Sequence, residues 1–212
     1  MKKILLILLI SFSFMSYGKT VNKDKLEYKD GIYYEINNEI PYTGEIINYY
    51  ENKNIKDKEI FKDGLLNGKI ISYYENGTMK KFGNYKEGKE EGKFISYYES
   101  GAIKKIGIFK DGKLNGKGSV SYESGMIKIK QNYKDGKLDG KWTLFYKNGQ
   151  TQYDGTFKDG QLNGKGIGYY ENGEIQYREN YKDGKLDGEC INYYESGKIK
   201  NKGIFKDGKQ LN

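Results

Sequence analysis

The sequence predicts an all-β protein: an elongated single-layer antiparallel β-hairpin repeat array with a 24-residue period. Three observations carry that reading. Glycines recur in three phased sets, tyrosines close short strand-like runs between them, and no 3.6-residue apolar stripe survives the glycines. The first set is Gly64, Gly88, Gly112, Gly136, Gly160, Gly184 and Gly208. The second follows four residues later, at Gly68, Gly92, Gly116, Gly140, Gly164 and Gly188. The third is Gly77, Gly101, Gly125, Gly149, Gly173 and Gly197. A helix would lose about 1 kcal/mol at each such interior glycine, whereas turns use them at no steric cost.

Residues 1–18 read as a secretory signal peptide. Lys2 and Lys3 precede an apolar run from Ile4 to Met15, and Ser16-Tyr17-Gly18 offers small residues for cleavage after Gly18. The expected product is an exported protein (periplasmic, outer-surface or secreted) with no transmembrane segment left after leader removal. Residues 19–38 form a Lys/Asn/Glu-rich lead-in, in which Tyr28-Lys29-Asp30-Gly31 faintly echoes the repeat. Residues 39–63 are a degenerate N-terminal repeat. Gly44 is in phase with Gly68, but Lys53 stands where Gly77 stands in the next copy. The only proline, Pro41, lies here, where it cannot interrupt a central ladder.

Six full units fill 64–207, and 208–212 begins a truncated seventh. Each unit reads as two strands and two turns. The first strand ends in a tyrosine present in every full copy, and Asn-Gly or Ser-Gly then makes a tight hairpin. The second strand, such as Met79 to Lys86, closes on an aromatic, and KDGKLNG forms a longer return turn. Alternation places Met79, Gly83 and Tyr85 on one side of the sheet. At about 4.8 Å per strand, equivalent side chains recur about every 9.6 Å and seven units span about 65 Å.

Composition narrows the chemistry. The chain has no His and a lone cysteine, Cys190, so nucleophilic catalysis and Cys-based metal sites lack their usual partners. Asp135 and Asp139 flank a turn glycine, but Asn replaces the second in other copies and Lys brackets each turn, far short of a calcium cage. No catalytic residue, metal site or cofactor is expected. The net charge is +8 and comes almost wholly from Lys, Arg178 being the only arginine. Such a surface attracts anions without the bidentate forks used on phosphate or guanine, so sequence-specific nucleic-acid binding is not expected.

Tyrosine is the most conspicuous binding candidate, with 22 in the chain. Adjacent tyrosines on a strand point to opposite faces. Tyr73-Tyr74, Tyr97-Tyr98, Tyr169-Tyr170 and Tyr193-Tyr194, with Tyr122 and Tyr146, therefore make two columns. One packs between units, and the other is a candidate ladder for a protein, a glycan or an anionic envelope surface.

The phrase Gly107-Ile-Phe-Lys-Asp-Gly-Lys-Leu-Asn-Gly-Lys-Gly118 resembles a MORN repeat: an aromatic, two residues, Gly, three residues, Gly, one residue, Gly. The YYENG turn and the opening PYTG resemble the bacterial variant in proteins labelled YwqK-type antitoxins. The resemblance spans about residues 39–212. Phe94, Trp142 and Cys190 replace the last glycine of the motif in three copies. The resemblance implies an elongated hairpin sheet used as a scaffold or for contacts with proteins and membranes. The readings are an envelope or surface binding module, a glycan- or cell-wall-binding array, and an antitoxin-like partner of a toxin. The leader peptide runs against the last.

Overall fold

The computed structural model describes residues 19–211, so the expected leader lies outside the described residues. One continuous antiparallel sheet carries nearly every strand, and the array is built by addition of rungs. The rung beginning at Gly64 shows the pattern. Leu65–Tyr73 runs out, the chain turns through Glu75-Asn76-Gly77, and Met79–Lys86 returns. The next outward strand is a short piece, Lys89–Glu90, followed after one residue by Gly92–Tyr97. Later rungs repeat this break before the second glycine.

The two turns divide their roles differently from the sequence expectation. The Asp-Gly turn is the tight one. Lys62 pairs directly with Leu65, and the two residues between them, Asp63 (φ 51°) and Gly64 (φ 75°), both have positive φ. That is the two-residue turn whose twist matches the flanking strands, and it explains why Asp, tolerant of left-handed backbone, precedes the glycine. The Glu-Asn-Gly turn is wider: Tyr74 N–H bonds to the Thr78 carbonyl, and Gly77 N–H bonds back to the Tyr74 carbonyl.

Register within a rung corrects a second expectation. Ser72 pairs with Lys81 but Tyr73 pairs with Met79, which leaves Lys80 as an extra residue in a β-bulge. Directly opposed residues share a face, so Met79 lies with Tyr73 rather than with Gly83 and Tyr85. The same shift recurs in every later rung, for example between Val120 and Ser121. Two faces result. The Phe94 face carries Tyr85, Phe94 and Phe109, stacked edge to face at 5.6 and 4.9 Å between ring centroids. Further along it carries Trp142, 5.8 Å from Tyr153 and 6.1 Å from Phe157. Gly83 is required here for space: a side chain would run into the ring of Phe94 from the next rung. The Tyr97 face carries the first tyrosine of each pair.

Pairing between rungs is thinner than pairing within them. Strands 68–73 and 79–85 match at six positions, whereas Met79–Lys86 meets the following strand only at Lys81–Ser96 and Phe82–Ile95, and the short piece at two more. Toward the Glu-Asn-Gly edge the ladder between rungs has opened. A side chain closes it. The hydroxyl of Tyr74 donates to the carbonyl of Tyr97 at 2.8 Å, 23 residues ahead. Tyr50, Tyr98, Tyr122, Tyr146 and Tyr170 make the same bond at 2.7–2.9 Å. At the opposite edge each turn glycine donates its N–H one rung back, as Gly88 does to Leu66 and Gly136 to Leu114, both at 2.8 Å.

The N-terminal segment closes the array. Thr20–Val21 pairs parallel to Glu45–Ile46, and the hairpin Leu26–Lys29 with Ile32–Glu35 turns on Asp30-Gly31, both at positive φ. Tyr33 then bonds to the Gly64 carbonyl. Tyr42, Ile46 and Phe61 are buried beneath Val21, Leu26, Tyr33 and Leu66. Lys53 keeps the turn geometry of its glycine counterparts, at φ 68°.

Two outcomes follow. Tyr122→Phe removes the hydroxyl that spans the open edge and should cost about 1 kcal/mol in urea unfolding. Lys53→Gly relieves a left-handed lysine and should stabilise by about 0.5–1 kcal/mol in the same assay.

Candidate functional site

The tyrosine pairs split into two kinds of residue. The second of each pair (Tyr74, Tyr98, Tyr122, Tyr146, Tyr170) is half-buried and its hydroxyl is engaged on the next rung. A lysine six residues on caps the ring in three of these rungs: Lys80 over Tyr74, Lys104 over Tyr98 and Lys128 over Tyr122, at 5.2–5.6 Å. Gln152 and Gln176 stand in that place in the next two rungs, where the hydrogen bond persists alone. Tyr194, in the last rung described, is exposed, with Lys200 over its ring.

The first of each pair contributes only its backbone carbonyl to that bond. Ser121 and Phe145 serve as acceptors equally well. The rings of Tyr73, Tyr97, Tyr169 and Tyr193 are therefore not needed for it. They lie half-buried on the Tyr97 face, and among the described residues their hydroxyls have no protein partner.

The Tyr97 face is not flat throughout. Across the second to fourth full rungs a hollow of about 640 Å³ opens, floored by Ser119 and Thr143 and ringed by Lys117, Lys130, Lys141 and Phe145. Lys130 sits 5.3 Å from the Phe145 ring centroid. Thr143 donates its hydroxyl to Asp154 at 2.6 Å, and Lys141 lies 3.4 Å from the same carboxylate. Asn132 donates to the Lys141 carbonyl at 2.8 Å. Sequence reasoning missed this feature. The available signal was the loss of the repeat's Ile at Ser119 and Thr143.

Elsewhere the polar groups serve the turns. Asp139 accepts the N–H of Asp159 at 3.3 Å, a bond between successive turns. Among the described residues no cluster of three His, Cys, Asp or Glu could hold a metal ion. Cys190 is buried on the Phe94 face, and burial pushes its thiol pKa up, away from a reactive thiolate.

Burial also acts on Tyr153, whose pKa is pushed up to about 12, first by desolvation and then by the nearby Glu179. Its hydroxyl is buried without a partner, in the space left by Gly166. A pKa raised in the folded state favours the neutral phenol. Its stabilisation is complete below the ordinary tyrosine pKa of about 10 and is lost as pH rises through 12. Tyr153→Phe should thus be neutral or slightly stabilising at pH 7, unlike Tyr122→Phe, and should move the alkaline unfolding midpoint upward in a circular-dichroism titration.

The comparisons with known proteins bear on this geometry. No curated protein matches the chain. The family model described as MORN repeat variant matches six times, at residues 66–87, 90–111, 114–135, 138–159, 162–183 and 186–207. Those segments cover more than half of the chain, each running from the return turn out along one strand and back along the next. Arrays of this kind are binding or scaffold modules, typically without catalytic activity. The chain belongs to the MORN repeat variant family.

Proposed function

We propose that this is an exported, non-enzymatic recognition ribbon that works at the bacterial envelope or cell surface, presenting its Tyr97 face to another macromolecule. One observation carries the reading. The bond that joins rungs uses the ring of the second tyrosine and only the backbone of the first, yet tyrosine stands at the first position in four of the six full rungs. Rings repeated about every 9.6 Å, half-buried and with free hydroxyls, suit a partner that is itself extended. Among the described residues no helix is long and apolar enough to cross a membrane. The charged start, apolar run and Ser16-Tyr17-Gly18 of the leader support export.

Two measurements test this. Mass spectrometry of the protein from fractionated cells should find a chain beginning at Lys19 outside the cytosol; an intact Met1 in the cytosol would overturn the export reading. Tyr97→Ala combined with Tyr169→Ala should weaken binding to isolated envelopes about tenfold or more, since buried aromatic anchors carry most interface energy. Unchanged binding by a variant with wild-type circular dichroism would remove the Tyr97 face as the contact surface.

A further inference from the structure

We infer that the hollow in the Tyr97 face is a binding site for an acidic polysaccharide, with Lys117, Lys130 and Lys141 meeting its carboxylates and Phe145 one sugar face. This rests on the reading that the Tyr97 face is the recognition face and names its partner by chemistry.

The repeat departs from its own pattern at the hollow. One row crosses the strands through Ile95, Ile106, Ser119, Lys130, Thr143, Asp154 and Ile167, each directly opposite the next or in the equivalent register. Its ends are apolar and its middle is polar. At the neighbouring position the ring present at Tyr73, Tyr97, Phe145 and Tyr169 is missing at Ser121. Stability alone would favour the residues used in the other rungs, because identical rungs stack best. Two polar departures, Ser119 and Thr143, lie in one row in a two-rung stretch and line a concavity within the usual size range of ligand sites.

The hollow is also positively charged. Lys117, Lys130 and Lys141 against Asp154 leave 3 − 1 = +2 around the hollow. Asp154 is already engaged by Thr143 and Lys141, so it positions Lys141 rather than repelling an anion. Lys117 and Lys141 also belong to an exposed column, Lys69, Lys93, Lys117, Lys141 and Lys165, repeating about every 9.6 Å until Glu189 ends it. A linear partner with one negative charge per two sugars repeats at a similar distance. It would lie along the column and dip into the hollow.

The hollow's single ring favours sugars over nucleic acid. Single-stranded nucleic acid is held by successive aromatic platforms. The hollow has one ring, Phe145, and the neighbouring ring is absent at Ser121. Compact ammonium groups, one amide at Asn132 and a single ring suit carboxylates and hydroxyls spread along a saccharide.

Calorimetry on the purified protein with a hyaluronan octasaccharide, polygalacturonate, a neutral chitin oligosaccharide, polyphosphate and oligo-dT tests this. An acidic sugar should bind. Lys117→Gln with Lys141→Gln should weaken it about tenfold or more, and Ser119→Ile with Thr143→Ile, which restores the repeat's own residues on the floor of the hollow, should abolish it. Lys110→Gln with Lys134→Gln, an equal loss of charge on the turn edge, should change it less than about threefold. The inference falls if neither acidic sugar binds, if the neutral sugar, polyphosphate or oligo-dT binds as well, or if the two lysine pairs weaken binding equally. It also falls if Ser119→Ile with Thr143→Ile, folded by circular dichroism, binds unchanged. Should that variant not fold, the two lysine pairs decide alone. Loss of envelope binding in Tyr97→Ala with Tyr169→Ala reports on the face as a whole, so either reading can fail without the other.

Discussion

Successive rungs are held together at one edge by a single tyrosine hydroxyl, and most of the repeat's constraints follow from that bond. Backbone pairing between rungs fades before it reaches the Glu-Asn-Gly turn, because the bulge at Lys80 turns the returning strand away from its outer neighbour. A strand edge left open there would expose unpaired carbonyls and invite solvent or another chain. The second tyrosine of each pair fills the gap with its ring and satisfies a carbonyl with its hydroxyl. Phenylalanine would fill but not satisfy; serine would do neither. That explains a tyrosine at Tyr74, Tyr98, Tyr122, Tyr146, Tyr170 and Tyr194 while nearly every neighbouring position varies.

The same division accounts for the two faces. The Phe94 face is where rungs interlock, with rings lying over glycines such as Gly83 and Gly168 that leave no room for a side chain. Only one layer exists, so most of its rings stay half-buried although Phe94 is buried, and no second sheet completes a core. The best-buried cluster, around Ile46, sits instead at the N-terminal end, where Val21, Leu26 and Tyr33 fold over the first strands. Stability in such an array is close to a sum of neighbour terms, and the capped end supplies a start that an open rung cannot. The Tyr97 face is released from most of this work, which leaves it free to vary.

Much of the fold was legible because its causes are local. Positive-φ glycines mark the turns, and their strict spacing gives the rung length whatever lies between them. What escaped was set by cross-strand register. Alternation from Met79 to Tyr85 assumes an unbroken strand, and one inserted residue at Lys80 moves Met79 to the other face. Sequence places the tight turn at Asn-Gly, a strong hairpin signal. Here, however, a type of turn needing positive φ at both central residues falls on Asp-Gly. The tyrosine pairs could be split between faces from sequence, but which member joins the rungs depends on a carbonyl 23 residues away. The hollow was hidden for a related reason: its lysines look like ordinary surface charge until Ser119 and Thr143 are seen to lie together.

That last point bears on how a repeat protein acquires a function. Each rung must keep its turn glycines and its second tyrosine or lose its hold on the next, so those positions say little about a partner. The positions opposite them carry no such burden. Tyr97, Tyr169 and their counterparts repeat without a structural demand, which suits broad contact along the ribbon's length. Ser119, Ser121 and Thr143 break the pattern without disturbing a single rung-to-rung bond: Ser121 still offers its carbonyl to Tyr98, and Thr143 still pairs with Lys130 and Asp154. A concavity can thus be cut into one face because the bonds that hold the sheet together run through the backbone and the other face.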